Sequence, residues 1–144
     1  WSVVLPITEA GNVLVIRQFK QGAEMVMEEL PGGTADFAKE PPEQVMRREL
    51  LEETGYEPGE VTFLGTEWMN SRNSHTICYY FLARDCKKIT SPKLDRHEEI
   101  EIVERPLKDW IEQVLRRETG GWDACALAAK ALPRLGITLK FSDQ

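Results

Sequence analysis

Three carboxylates at helical spacing carry the most chemistry in this chain. Glu49, Glu52 and Glu53 stand at i, i+3 and i+4 within the run Leu30–Tyr56, L-P-G-G-T-A-D-F-A-K-E-P-P-E-Q-V-M-R-R-E-L-L-E-E-T-G-Y. At roughly 100° per residue their side chains fall inside an arc of about 100°. Glu49 and Glu53 are like charges at i,i+4, which opposes a helix by about 0.2–0.5 kcal/mol. Val45, Met46 and Leu50 flank the same arc, so the acids border the apolar side of the helix. Something positive should therefore sit against them. Carboxylates with a loop carbonyl are hard oxygen ligands of the kind Mg²⁺ or Mn²⁺ takes. Zinc is not expected, because no His or Cys falls inside the stretch. Three glutamates on a helix are most often only a solvated acidic face, here with Arg47 and Arg48 as partners.

The element that holds these acids has legible ends. Pro42 suits a first helical turn, where its missing N–H would be unpaired anyway. Gly55 suits the position just past the helix, where φ is often positive. Before the helix, Ser2–Ile7 and Val13–Phe19 read as strands joined by a hairpin-type turn, and Met25–Leu30 as a third strand leading through Glu29 into Pro31-Gly32-Gly33. Arg17 closes the second strand and could bind a substrate phosphate, since guanidinium pairs well with such oxygens; an isolated strand-end arginine is more often a solvated charge.

After the helix, Val61–Met69 and His75–Ala83 read as strands around the polar loop Asn70–Ser74, and Arg84–Arg96 as a long polar connection. Glu99–Glu104 alternates with period two, as a strand with one wet face does. Lys108–Arg117 has helical periodicity, and Asp123 is the expected N-cap of an Ala-rich helix over Ala124–Leu132 that Pro133 ends or kinks. Ile137–Phe141 is a short tail. The order β-β-β-helix-β-β-β-helix-helix predicts an α/β fold, a mixed sheet covered by helices on both faces.

The bulk properties bound the function. At 144 residues, 42% hydrophobic and 29% charged, the chain suits one soluble domain. Its formal net charge of −6 argues against nucleic acid as the main partner. No apolar run reaches membrane-spanning length, so a membrane partner is not expected. The three cysteines (Cys78, Cys86, Cys125) are an odd count without C-x-x-C spacing, which predicts a reducing, cytoplasmic setting and no disulfide framework. Strand-like residues begin at Trp1 without a methionine, as they would in a chain trimmed at its N-terminus.

The segment Arg48–Tyr56, R-E-L-L-E-E-T-G-Y, preceded by Glu40, resembles the Nudix box, G-x5-E-x7-R-E-U-x-E-E-x-G-U with U apolar. One position departs: the opening glycine place holds Thr34, and Gly33 lies one residue early, as a one-residue insertion within Thr34–Lys39 would produce. The element order also resembles the Nudix α/β/α sandwich. The resemblance implies hydrolysis of a nucleoside diphosphate linked to another group, with Mg²⁺ or Mn²⁺ as cofactor. It implies Glu49, Glu52 and Glu53 as metal ligands, with a loop carbonyl from Gly33 or Thr34. Arg48 would orient a box glutamate, and Glu40 would support the loop or serve as an outer ligand.

For the general base the resemblance leaves two sources. Glu53 or Glu52 could serve from the helix. The segment Leu94–Ile102, L-D-R-H-E-E-I-E-I, resembles that of the ADP-ribose pyrophosphatase branch, which makes Glu98 the other candidate and Glu99 the next. His97 in the same loop is more often a bystander. That branch is also suggested by V-V-L-P-I-T (Val3–Thr8), V-I-R-Q-F (Val15–Phe19) and E-L-P-G-G (Glu29–Gly33), with Glu29 beside the substrate. Its usual S-P-G is absent; Ser71-Arg72-Asn73 stands there, and Arg72 could contact phosphate or sugar. Trp68 could stack on a base, though a Trp at a strand end is more often packing. ADP-ribose or another nucleotide sugar is the leading substrate expectation. A nucleoside triphosphate or dinucleoside polyphosphate pyrophosphatase is the enzymatic alternative, and a non-catalytic nucleotide sensor the alternative outside enzymes. Many members of the branch are homodimers, so a homodimer is one assembly to expect.

Overall fold

The computed structural model of the chain describes residues 1–34, 39–94, 99–116, 118, 121–138 and 140. Among the described residues, eight strands and three α-helices follow in the order β1 (Ser2–Thr8), β2 (Asn12–Lys20), β3 (Met25–Glu29), β4 (Gly32–Gly33), α1 (Pro42–Thr54), β5 (Tyr56–Glu57), β6 (Glu60–Trp68), β7 (Ile77–Lys88), β8 (Ile100–Pro106), α2 (Leu107–Arg116) and α3 (Trp122–Ala131). A 3-10 turn over Leu132–Leu135 follows α3, and Gly136 closes it in the left-handed region.

β1 is the hub of the mixed sheet. Every residue in it is buried, as a strand covered on both faces requires. It runs parallel to β7, from Ser2 beside Tyr79 to Pro6 beside Ala83, and antiparallel to β4. Ile7 pairs with Val13 and so joins β1 to β2, which lies between β3 and β8 with both pairings antiparallel. β6 extends the other arm along β7.

The period-two alternation of β1 sorts its side chains between two cores. Val3, Leu5 and Ile7 pack with Val13, Val15 and Leu82 against Trp110, Ile111 and Val114 of α2 and Leu127 and Ala128 of α3. Val4 points the other way, with Leu14 and Phe81, against Met46 and Leu50 of α1. Helices therefore cover both faces, giving the expected α/β/α sandwich.

Two local expectations are corrected. The strand expected to stop at Ala83 continues to Lys88, because Arg84 pairs with Glu60 of β6 and Lys87 and Lys88 pair with β5. Arg84 Nη2 pairs with Glu60 Oε1 at 2.9 Å and Lys87 Nζ with Glu9 Oε1 at 3.0 Å, while Cys86 turns inward and is buried. The residues after Gly55 form the short strand β5 before turning. Asp123 is not an N-cap: α3 starts one residue earlier, with Gly121 as the cap at φ 94°. Asp123 instead sits in the first turn and its Oδ1 accepts the Ala124 N–H at 3.0 Å. Among the described residues no helix is long and apolar enough to cross a membrane.

Candidate active site

α1 begins and ends where its sequence dictates. Pro42 follows the cap residue Pro41, and Gly55 at φ 78° donates its N–H to the Leu51 carbonyl at 2.8 Å. The buried stripe Val45, Met46 and Leu50 seats the helix on β1 and leaves Glu49, Glu52 and Glu53 along one edge of the contact. Ser2 Oγ donates to the Pro42 carbonyl at 2.9 Å and ties the first turn of α1 to the first residue of β1.

Gly32 and Gly33 form the wedge between β1 and α1. Gly32 pairs with Val3 and Gly33 with Ser2. A Cβ at Gly32 would run into the Ser2 carbonyl oxygen, and one at Gly33 into the Glu49 carboxylate. Only glycine allows this double approach. The Gly32 N–H is thereby aimed at α1 and donates to Glu53 Oε2 at 3.0 Å. Glu53 is only 7% exposed, so its carboxylate lies largely away from water, with the Gly32 N–H aimed at it.

The other two helix acids share Arg48. Its Nη1 lies 2.9 Å from Glu49 Oε1 and 2.9 Å from Glu52 Oε2, and its Nε lies 3.3 Å from Glu40 Oε1. Burial works to lower the Arg48 pKa. The hydrogen bonds to Glu40 and Glu52 and the charge of Glu49 outweigh it and hold the guanidinium more firmly protonated than usual. Arg48 is thus a three-way strut that fixes Glu49 and Glu52 and ties the loop at Glu40 to the helix.

These groups form one wall of a cleft of about 390 Å³, lined on the α1 side by Arg48, Glu49, Glu52 and Glu53 and at its floor by Gly32, Gly33 and Thr34. Glu29 and Lys20 line the opposite side, Lys20 Nζ 2.6 Å from Glu29 Oε2. Of the expected site residues, Glu29, Gly33, Arg48, Glu49, Glu52 and Glu53 come together here, with Glu40 behind Arg48 and Gly55 ending the helix that carries them.

Two expected substrate contacts do not reach this cleft. Arg17 pairs across β2–β8 with Glu101, 2.9 Å away, and lines a neighbouring groove with Phe19, Val26 and Glu99. The reason is strand alternation: Ile16, Gln18 and Lys20 share the cleft face of β2, and Arg17 and Phe19 do not. Arg72 is exposed in its loop and is not among the lining residues. Trp68 is 55% exposed, with its ring edge-on to His75 at 6.5 Å, and is also off the cleft. Glu98 and His97 lie outside the described residues.

Sequence reading missed Gln18, Lys20, Lys93 and Trp1 as lining residues. The alternation in β2 was visible, and knowing that Leu14 packs on α1 would have pointed to Gln18 and Lys20.

The donors fit a divalent cation by chemistry: hard carboxylate oxygens, one of them buried, beside a glycine backbone. They are not a closed cage. Among the described residues no group of three or more His, Cys, Asp or Glu side chains converges closely enough to hold a metal ion, and Arg48 stands between Glu49 and Glu52.

The NUDIX domain model matches residues 1–121. The chain belongs to the Nudix family. Hydrolases of this family generally use a divalent metal ion. Among similar Nudix proteins is an ADP-ribose pyrophosphatase of Bacillus subtilis (strain 168), 31% identical over 116 residues, which cover 80% of this chain and 62% of that one. Another is a GDP-mannose pyrophosphatase of Yersinia pestis (strain Pestoides F), 31% identical over 121 residues, covering 78% and 60%. The chain thus spans about three-fifths of the length of the curated relatives it matches. A solved structure described as an ADP compounds hydrolase superposes with a TM-score of 0.76 at 23% identity, covering 95% of this chain and 74% of that one, which shows the shared Nudix fold.

Proposed function

We propose that this chain hydrolyses the diphosphate linkage of a nucleoside diphosphate derivative, with ADP-ribose or another nucleotide sugar as substrate. The observation that carries the reading is the acidic wall: Glu53 buried on the Gly32 N–H, with Glu49 and Glu52 fixed by Arg48 at the edge of the same cleft. The names of the two relatives, one acting on ADP-ribose and one on GDP-mannose, support the substrate class.

Glu49, Glu52 and Glu53, with the Gly33 carbonyl, would hold Mg²⁺ or Mn²⁺, which when bound supplies charge neutralisation for a diphosphate and lowers the pKa of water. The remaining work falls to this chain's own groups. Arg48 holds two of the carboxylates in one orientation, and Gly32 fixes the third. Glu53 or Glu52 takes the proton of the attacking water; Glu98 is the other base to test. Water adds to one phosphorus, the bond from that phosphorus to the bridging oxygen breaks, and ADP-ribose gives AMP and ribose 5-phosphate.

All three box glutamates are present, which favours a hydrolase over a nucleotide sensor. The free thiols of Cys78, Cys86 and Cys125 support a cytoplasmic setting.

The test is phosphatase-coupled phosphate release from a panel of ADP-ribose, GDP-mannose, dinucleoside polyphosphates and nucleoside triphosphates, with and without Mg²⁺. Mg²⁺-dependent turnover of the nucleotide sugars is expected. Turnover confined to triphosphates or dinucleoside polyphosphates would replace the substrate class. Silence across the panel, with one compound raising the melting temperature, would replace the hydrolase by a sensor.

A further inference from the structure

The cleft has an acidic wall, yet the ligand proposed for it is an anion. The side-chain cations lining it among the described residues are Lys20, Arg48 and Lys93. Arg48 is committed to Glu40, Glu49 and Glu52, and Lys20 to Glu29. The Lys93 side chain is exposed and has no acidic partner among the described residues.

Lys93 is nevertheless fixed at its base. Its backbone N–H donates to the Glu52 carbonyl at 2.8 Å, and Thr90 N–H donates to the Gly55 carbonyl at 3.2 Å. The segment leaving β7 is thus fastened to the last turn of the helix that carries the acids. A Cβ at Gly55 would run into the Thr90 carbonyl oxygen, so this docking also depends on glycine. α1 has no basic residue in its own last turn. Lys93 thus carries an exposed ammonium at the rim of the acidic wall on a hydrogen-bonded backbone.

We propose that Lys93 is a substrate-binding residue: its ammonium holds the non-bridging oxygens of a diphosphate against the acidic wall. The inference rests on the diphosphate-hydrolase reading. A phosphate-binding cation beside metal-ligating acids orients the substrate without competing for the acids, provided it has no carboxylate partner of its own. Among the described residues, Lys93 alone of the three lining side-chain cations meets that condition. A purely structural role, as a cation at the C-terminal end of α1, predicts a loss of stability and no loss of diphosphate affinity.

The test compares wild type, Lys93→Ala and Lys93→Arg in Mg²⁺. It measures equilibrium binding of an ADP-ribose analogue with a methylene group in place of the bridging oxygen, turnover of ADP-ribose, and melting temperature. Removing one charge-assisted contact should weaken analogue binding and raise KM by about tenfold. Lys93→Arg should restore most of the affinity, with melting unchanged in both variants. Wild-type affinity in Lys93→Ala would overturn the assignment while leaving an observed turnover to stand. Lys93-dependent binding without cleavage by the wild type would support Lys93 and remove the hydrolase. No analogue binding by the wild type would overturn both.

Discussion

Glu53 Oε2 accepts the backbone N–H of Gly32 at 3.0 Å across 21 positions of sequence. This bond joins the helix that carries the acids to the loop that faces them, and it exists only because Gly32 lies directly on β1. The carboxylate is thereby buried, oriented and at the edge of the cleft. Several measurable consequences depend on that arrangement.

The two wedge glycines should fail differently. Gly32→Ala sets a Cβ against the Ser2 carbonyl, a backbone atom that cannot yield. It should destabilise the fold by about 1–3 kcal/mol. Gly33→Ala sets a Cβ against the Glu49 carboxylate and its Cγ, a side chain that can swing away only by leaving Arg48. Melting should hardly change, and Mg²⁺-dependent activity should fall at least about tenfold as Glu49 loses its position. Melting curves and steady-state kinetics on both variants check this.

Arg48 should matter more for rate than for stability. Its side chain is 37% exposed, and ion pairs at such positions contribute about 1 kcal/mol or less. Arg48→Ala should therefore lose little stability, while kcat falls about tenfold or more because Glu49 and Glu52 lose their shared strut. Arg48→Lys keeps the charge but not the fork that reaches three carboxylates. It should fall between the two in a kcat comparison.

Asp123 predicts a pH dependence of stability. Burial first, and the charge of Glu29 next, push its carboxyl from 3.8 up to about 6, against the Ala124 N–H and Lys20, which pull it down. The folded state then holds this proton more tightly than the unfolded chain does. The Asp123 contribution is full below pH 4 and is lost as pH rises toward 6. Asp123→Asn lacks this titration, so its stability relative to wild type should rise across that window by up to about 3 kcal/mol. Denaturant melts of both proteins at several pH values measure the difference; parallel curves would show that Asp123 is not perturbed.

The thiols should react in two classes. Burial pushes Cys78 up to about 11 and Cys86 up to about 12. Cys125 is exposed on α3. A thiol reagent at mildly alkaline pH should label one cysteine quickly in the native protein and all three after unfolding.

What could be read from sequence was what local chemistry encodes. Pro42 and Gly55 mark the ends of α1, and the spacing of Glu49, Glu52 and Glu53 places them on one edge of it. The expectation for Arg17, with Lys20 unnoticed, marks where such reading stops. Val13 and Val15 pack toward α2 and α3, and Leu14 packs toward α1; both sets are apolar, so nothing local says which face of β2 meets the acids. The length of β7 was hidden for a related reason. Arg84, Lys87 and Lys88 look like loop residues until β5 and Glu60 supply their partners. Lys93 reaches the site through a backbone bond to Glu52, a relationship that no side-chain pattern announces.

The central claim is that the buried Glu53 carboxylate drives Mg²⁺-dependent cleavage of a diphosphate. The most direct measurement is the rate at which wild type and Glu53→Gln convert ADP-ribose to AMP and ribose 5-phosphate in Mg²⁺, with melting curves on both. Glutamine is nearly isosteric and can still accept the Gly32 N–H, so melting should be preserved while turnover falls by about 10² or more. A Glu53→Gln protein that cleaves ADP-ribose at the wild-type rate would contradict the account.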